Sequence, residues 1–153
     1  NNAVAICRNV LDTVEKIKQT SASVLFQTSL ENLEIYTDEA RLQQLLINLL
    51  INATKFTTEG SITLSLEKQS EEVALFAVSD TGCGIAPEKQ GAIFNRFEKL
   101  DENAQGSGLG LSICQLIVER FGGKIWIDPE YKNGSRFLFT HPIVSTSRKE
   151  VSE

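Results

Sequence analysis

The sequence predicts an α+β fold: a two-layer α/β sandwich in which three main helices cover one face of a mixed, mostly antiparallel sheet of about five or six strands. Three observations carry this. From Asp38 to Thr57 the apolar residues recur with the 3.6-residue period of a long helix. The strand-like segments arrive in pairs, which favours hairpins over a doubly wound parallel sheet. The 153 residues contain no internal repeat and no low-complexity linker, so one domain accounts for them.

Taken in order, residues 3 to 19 place Val4, Ile6, Val10, Leu11, Val14 and Ile17 at mostly helical spacing, the pattern of a surface helix with one buried side. Ser21 and Ser23 break it. Val24 to Thr28 reads as a strand, and Leu33-Glu34-Ile35-Tyr36 alternates as a second one should. Thr37 or Asp38 then caps the long helix, with Asp38 and Glu39 at the positive end of its dipole, and Thr57, Thr58 and Gly60 end it. Ile62, Leu64 and Leu66 alternate in one strand and Val73 to Ser79 forms the next, an antiparallel hairpin turning near Ser70-Glu71-Glu72. A further helix opens at Gly106–Leu111, turns Ile113, Leu116, Ile117 and Phe121 inward, and stops at Gly122-Gly123. Strands at 124–128 and 135–140 close the domain around an Asn133-Gly134 turn. The domain is expected to span 1–144, and the polar tail 145–153 to be disordered.

With 41% hydrophobic and 23% charged residues the composition is that of an ordinary soluble domain. No apolar run is long enough for a membrane span and no signal peptide is legible; the chain begins with Asn, as a fragment of a longer protein would. A net charge of −5 argues against a nucleic-acid partner. Cys7, Cys83 and Cys114 are odd in number, far apart and without metal-ligand spacing, so they read as reduced thiols of a cytosolic domain and not as a zinc site.

Polar chemistry concentrates in a few places. On the long helix Leu42, Leu45, Leu46, Leu49, Leu50 and Ala53 form a core stripe, while Gln44, Asn48, Asn52 and Lys55 share a sector about 80° wide on another side. That polar line borders either solvent or a site. The carboxamide oxygens of Asn48 and Asn52 can bind a cation without adding charge, and magnesium often takes few protein ligands when a triphosphate supplies the rest. Lys55 can meet a phosphate as a point charge. Gly82 and Gly84, then Gly106, Gly108 and Gly110, form two clusters that let a backbone approach a ligand, or that simply turn the chain. The second cluster opens a helix, where free N–H groups favour anions. Asp80 shares side-chain parity with Phe76 and Val78, so its carboxylate stands at the edge of the core; it either accepts a bond from an exocyclic amine such as adenine's or caps the next turn. The familiar phosphate motifs fail: Pro87 stands where a dinucleotide fingerprint needs its third glycine, and neither a Walker loop nor the protein-kinase set is present.

Asn48 to Thr57, Asp80 to Ile85, Ile93 to Phe97 and Gly106 to Leu111 resemble, in order and spacing, the N, G1, F and G2 boxes of the catalytic and ATP-binding domain of two-component sensor histidine kinases. The resemblance runs from Asp38-x-x-Arg41-Leu42 to Gly134-Ser135-x-Phe137. It implies the Bergerat-type sandwich shared with gyrase, Hsp90-type chaperones and MutL, with ATP and magnesium as cofactors. By that resemblance Asn52 holds magnesium, Asn48 supports the phosphates, Lys55 and Arg96 reach the phosphate tail, and Phe56 packs near the base. Asp80 would read the adenine amine against Gly82, Gly84 and Ile85, with Ser135 backing the pocket through water. Gly106, Ser107, Gly108, Leu109 and Gly110 would wrap the triphosphate, and 87–105 would be a lid anchored by Phe94 and Phe97.

The resemblance also implies the reaction and the partners: γ-phosphoryl transfer to a histidine on a separate dimerisation domain of the same protein, then to a response regulator receiver domain. This would be the cytoplasmic part of a kinase anchored in the bacterial inner membrane. His141, the only histidine, stands beside Pro142 and not in a phosphoacceptor motif, so the isolated domain is expected to be a monomer that does not phosphorylate itself. The hydrolases of the superfamily carry Glu four residues before the magnesium Asn, whereas this chain has Asn48, which cannot act as a general base at neutral pH. The alternatives are a hydrolytic ATPase of the gyrase, Hsp90 and MutL type, and a non-catalytic nucleotide-binding interaction module.

Overall fold

Asn2 caps the first helix, accepting the Val4 N–H through its side chain at 3.1 Å, and α1 runs Ala3–Ile17. The computed structural model describes residues 1–57, 59–82, 108–128, 130–131 and 134–143. The expected tail 145–153 and lid 87–105 lie outside the described residues. After α1 come β1 (Ser23–Thr28), α2 (Glu39–Phe56), β2 (Ser61–Ser70), β3 (Val73–Asp80), α3 (Gly108–Phe121), β4 (Ile125–Ile127) and β5 (Ser135–Pro142).

The five strands form one sheet in the order β1-β2-β3-β5-β4. Only β1 and β2 are parallel; α2 lies between them in sequence and supplies the long connection that parallel neighbours require. The other pairs are antiparallel, so the mixed and mostly antiparallel sheet is as expected. One face of the central strands carries Ile62, Leu64, Leu66, Phe76, Val78, Phe137 and Phe139, all buried. Phe76 and Phe139 are register partners whose rings stack 4.6 Å apart. Against this apolar core α2 buries the whole predicted stripe, from Leu42 through Ala53.

Two expectations fail. Leu33–Tyr36 is not a sheet strand: Leu33 and Ile35 are buried alternately, but the backbone pairs with the chain leading into α1, through an isolated bridge between Asn2 and Glu34. The Ala3 N–H donates to the Leu33 carbonyl and the Leu33 N–H to the Asn2 side chain. Alternation there reports burial against the helical layer, and no neighbouring strand is needed to satisfy the backbone. The second failure concerns α3. It was expected to bury Ile113, Leu116, Ile117 and Phe121; Ile117 is buried, but Ile113 and Leu116 are 37% and 45% exposed and Phe121 is half-buried. Leu111, Cys114 and Val118 take the core side instead. The helix is apolar on two sides, and packing beside α2 selects the one that periodicity alone leaves undecided. Its end is as expected: Gly122, at φ +89°, lets its own N–H reach Glu119 and the Gly123 N–H reach Val118.

His141 closes the far end of β5 at 2% exposure. Its Nδ1 lies 2.8 Å from the Pro142 carbonyl, which can only accept, so Nδ1 carries the proton and Nε2 accepts from the Thr37 hydroxyl at 2.9 Å. The Phe121 ring packs 4.6 Å away. Burial pushes the imidazole below its ordinary 6.5, outweighing the Pro142 bond that supports the charged form. The unfolded chain therefore binds a proton at a pH where the folded one does not, and stability falls as pH drops below about 6.5. The melting temperature of wild type is expected to decline between pH 7 and 5 more steeply than that of His141→Gln, as read by circular dichroism.

Candidate functional site

The end of β3 is the most constrained polar locus of the described chain. Side-chain parity turns Asp80 to the core side of β3, at 2% exposure. Its Oδ1 accepts the Gly82 N–H at 2.9 Å and the Ser135 N–H at 3.3 Å, and its Oδ2 accepts the Ser135 hydroxyl at 2.9 Å. Asp80 thus caps the following turn, and it also holds β5 to β3, where Asp80 and Ser135 are register partners. A carboxylate has about four acceptor positions. Three are filled, and one on Oδ2 remains. Ser135 bonds the carboxylate directly, a more intimate role than the water-mediated one the resemblance implied.

Gly134 makes this contact possible. A Cβ placed on it would lie 2.0 Å from the Asp80 carbonyl oxygen and 2.9 Å from Oδ1, and its φ is +152°. In the sequence this glycine reads as a turn residue; its second role emerges only once β5 is known to pair with β3.

The polar line of α2 is graded in burial. Lys55 is exposed, whereas Asn48 and Asn52 are half-buried. Asn48 turns toward α3, where its side chain hydrogen-bonds the Cys114 thiol. Burial pushes that thiol up to about 12, more than the Asn48 bond lowers it, so Cys114 stays protonated at neutral pH. The sequence had shown Cys114 only as a reduced thiol; this partner was missed because helix spacing does not say which helix lies across. Cys7 is likewise buried and pushed up to about 12. Among the described residues no group of three or more His, Cys, Asp and Glu could hold a metal. A bound cation would depend on Asn52 and on oxygens brought by a ligand.

Of the other expected site residues, Gly82 is described and donates to Asp80. Gly108, Leu109 and Gly110 form the first turn of α3. Phe56 ends α2. Gly84, Ile85, Arg96, Gly106 and Ser107 lie outside the described residues. The arrangement therefore joins the end of β3, the start of β5 and the C-terminal half of α2, with α3 packed beside α2 through Asn48 and Cys114.

Residues 37–145 match the family described as histidine kinase-, DNA gyrase B- and HSP90-like ATPases. The chain belongs to this family. Among curated relatives, the adaptive-response sensory kinase SasA of Rippkaea orientalis is 35% identical over 142 residues, which is 90% of this chain and 36% of that protein. The chain thus spans about a third of the length of such relatives. Among solved structures, the catalytic domain of the histidine kinase ThkA is 33% identical, with a TM-score of 0.81 over 94% of this chain and 96% of that one. ThkA also appears in complex with the response regulator protein TrrA, at 33% identity and a TM-score of 0.79 over 94% of this chain and 41% of that one. Full-length ShkA in complex with AMPPNP is 30% identical, with a TM-score of 0.81 over 92% of this chain and 30% of that one. Membership of the ATPase family and likeness to histidine kinase catalytic domains agree with the fold and with the four boxes. No helix of the described residues is long and apolar enough to cross a membrane.

Gly134→Ala should force β5 off Asp80. Overpacking of this kind costs about 1–3 kcal/mol. Thermal melts should show that loss, and calorimetry should show ATP affinity reduced by about tenfold or more, the equivalent of about 1.4 kcal/mol.

Proposed function

We propose that this domain binds ATP with magnesium and donates the γ-phosphoryl group to a histidine on a separate dimerisation domain of the same protein, which passes it to a response regulator. The observation that carries this reading is the buried Asp80 carboxylate, held by Gly82 and Ser135 with one acceptor position to spare, in a chain of the ATPase family. Such a position accepts the amine of adenine; guanine presents a carbonyl there, and two acceptors repel. Likeness to the ThkA catalytic domain, and the existence of a ThkA complex with a response regulator, support the kinase reading and the partner. The lack of a membrane-spanning helix among the described residues is compatible with a cytoplasmic domain of an anchored kinase.

Bound, the nucleotide would supply the transferable phosphoryl group. The chain's own residues position it. Asn52 offers a carboxamide oxygen to the magnesium ion, Lys55 and Arg96 neutralise phosphate charge, and Asn48 sits at the α2–α3 seam with its amide oriented by Cys114. Gly84, Ile85 and Phe56 would enclose the base, and the backbone from Gly106 through Ser107, Gly108, Leu109 and Gly110 would face the phosphates at the start of α3. His141 is no acceptor, because both ring nitrogens are engaged and the ring is buried.

Calorimetry with ATP and GTP tests the base assignment: ATP should bind and GTP should not, and Asp80→Asn should abolish the preference. Asn52→Ala should remove the magnesium-dependent part of the ATP affinity and leave the magnesium-free part. Equal affinity for GTP would sink the role of Asp80.

A second expectation concerns turnover. Asn48 replaces the general base of the hydrolytic relatives, a group that typically contributes 10²–10⁴-fold. Steady-state release of phosphate by the purified domain should be very slow, and γ-labelled ATP should leave no label on His141. Fast turnover would favour the hydrolytic reading instead.

A further inference from the structure

The outward side of α3 has no counterpart in the nucleotide reading. Ile113 and Leu116 are 37% and 45% exposed, and Ile117, Arg120 and Phe121 continue their line at helical spacing. Facing them, the first two turns of α2 present Asp38, Arg41 and Gln44. The two helices border a groove of about 820 Å³, beside which Tyr36 stands 67% exposed. Neither Asn52, Asp80 nor Ser135 lines it.

Its charge is specific. The chain carries a net charge of −5, yet the groove holds two arginines against one carboxylate. That carboxylate is already engaged, since Asp38 Oδ1 accepts the Arg41 backbone N–H at 3.2 Å as the cap of α2. The Arg41 guanidinium donates to the neutral Gln44 amide, and among the described residues neither Arg41 nor Arg120 pairs with a carboxylate. The shape is equally selective. From Ile113 to Phe121 the apolar line rises about 12 Å, a little over two helical turns. A partner helix reads such a line with anchors at i, i+3 or i+4, and i+7.

We propose that this groove docks an amphipathic helix of a partner protein, its apolar stripe seated along Ile113, Leu116 and Phe121 and its flanking carboxylates paired with Arg41 and Arg120. Leucine-sized anchors would cover the exposed aliphatic surface, and the acidic flank would meet cations that have no other carboxylate. A basic helix with the same stripe would be repelled. The occupant is independent of nucleotide.

The probe is a fluorescein-labelled helical peptide of about 18 residues, long enough to hold helix in water, with leucines at those spacings and glutamates on both flanks; its counterpart carries lysines in place of the glutamates. Fluorescence anisotropy on the whole chain should show the acidic peptide binding about tenfold tighter than the basic one at low salt, with the preference shrinking as salt rises. The double variant R41E/R120E should invert the preference, and Leu116→Glu should abolish binding of the acidic peptide. ATP affinity should stay unchanged in both variants, which confirms that they fold. No binding of the acidic peptide at about 1 mM, equal binding of the two peptides, or a preference indifferent to R41E/R120E would overturn the proposal. So would sedimentation showing a dimer that Leu116→Glu dissolves and the peptide cannot displace, since the occupant would then be a second copy of this chain.

Discussion

A buried carboxylate is the constraint around which the middle of this sheet is arranged. Taking an ionised group out of water is costly unless hydrogen bonds replace the lost solvent. Asp80 receives three, and each imposes a condition on the chain. The Gly82 N–H requires the turn to begin directly after β3. The two Ser135 donors require β5 to pair in the register that sets Ser135 opposite Asp80. A slip by one residue would turn the alternation of β5 over, exposing Phe137 and Phe139 and stranding the carboxylate. Gly134 follows from the same demand, because no side chain fits between its backbone and Asp80.

The helical layer is organised by a division within α2. Its leucine stripe fixes the helix on the sheet and leaves the polar line no choice of direction. Asn48 therefore faces α3, and what stands across from it decides whether its amide is held. Cys114 suits that position: burial keeps the thiol neutral, so the contact carries no charge to be compensated, and the side chain is small enough to let the two helices approach.

Much of this was legible in the residues. The stripe from Leu42 to Ala53 is wide and uninterrupted, so α2 and its buried side could be read directly. The alternation of Ile62, Leu64 and Leu66, and the parity of Asp80 with Phe76 and Val78, survive because a strand between two neighbours has only two sides. Leu33–Tyr36 was misread for a related reason: alternation reveals which side chains are covered, and the start of α1 covers Leu33 and Ile35 as well as a strand would. α3 was misread because Ile113, Cys114, Leu116, Ile117 and Val118 surround the helix with apolar groups, and periodicity cannot choose between two apolar sides. The role of Gly134 and the pairing of Asn48 with Cys114 join residues 54 and 66 positions apart (134 − 80 and 114 − 48), and only tertiary structure brings them together.

The second apolar side of α3 has a consequence for the first. Cys114 follows Ile113 directly, and Gln44 lies one turn before Asn48, so the groove and the Asn48 contact are built on the same pair of helices. A helix seated between the N-terminal turns of α2 and the C-terminal half of α3 fits best at one spacing of the two. The Asn48–Cys114 bond has its own preferred spacing. Where the two agree, an occupant of the groove and a ligand at Asn48 strengthen each other by one common factor; where they differ, each weakens the other by that factor, since linkage is reciprocal. The magnitude is bounded by the difference in the occupant's affinity for the two spacings, and a partner that binds both alike leaves the nucleotide site untouched.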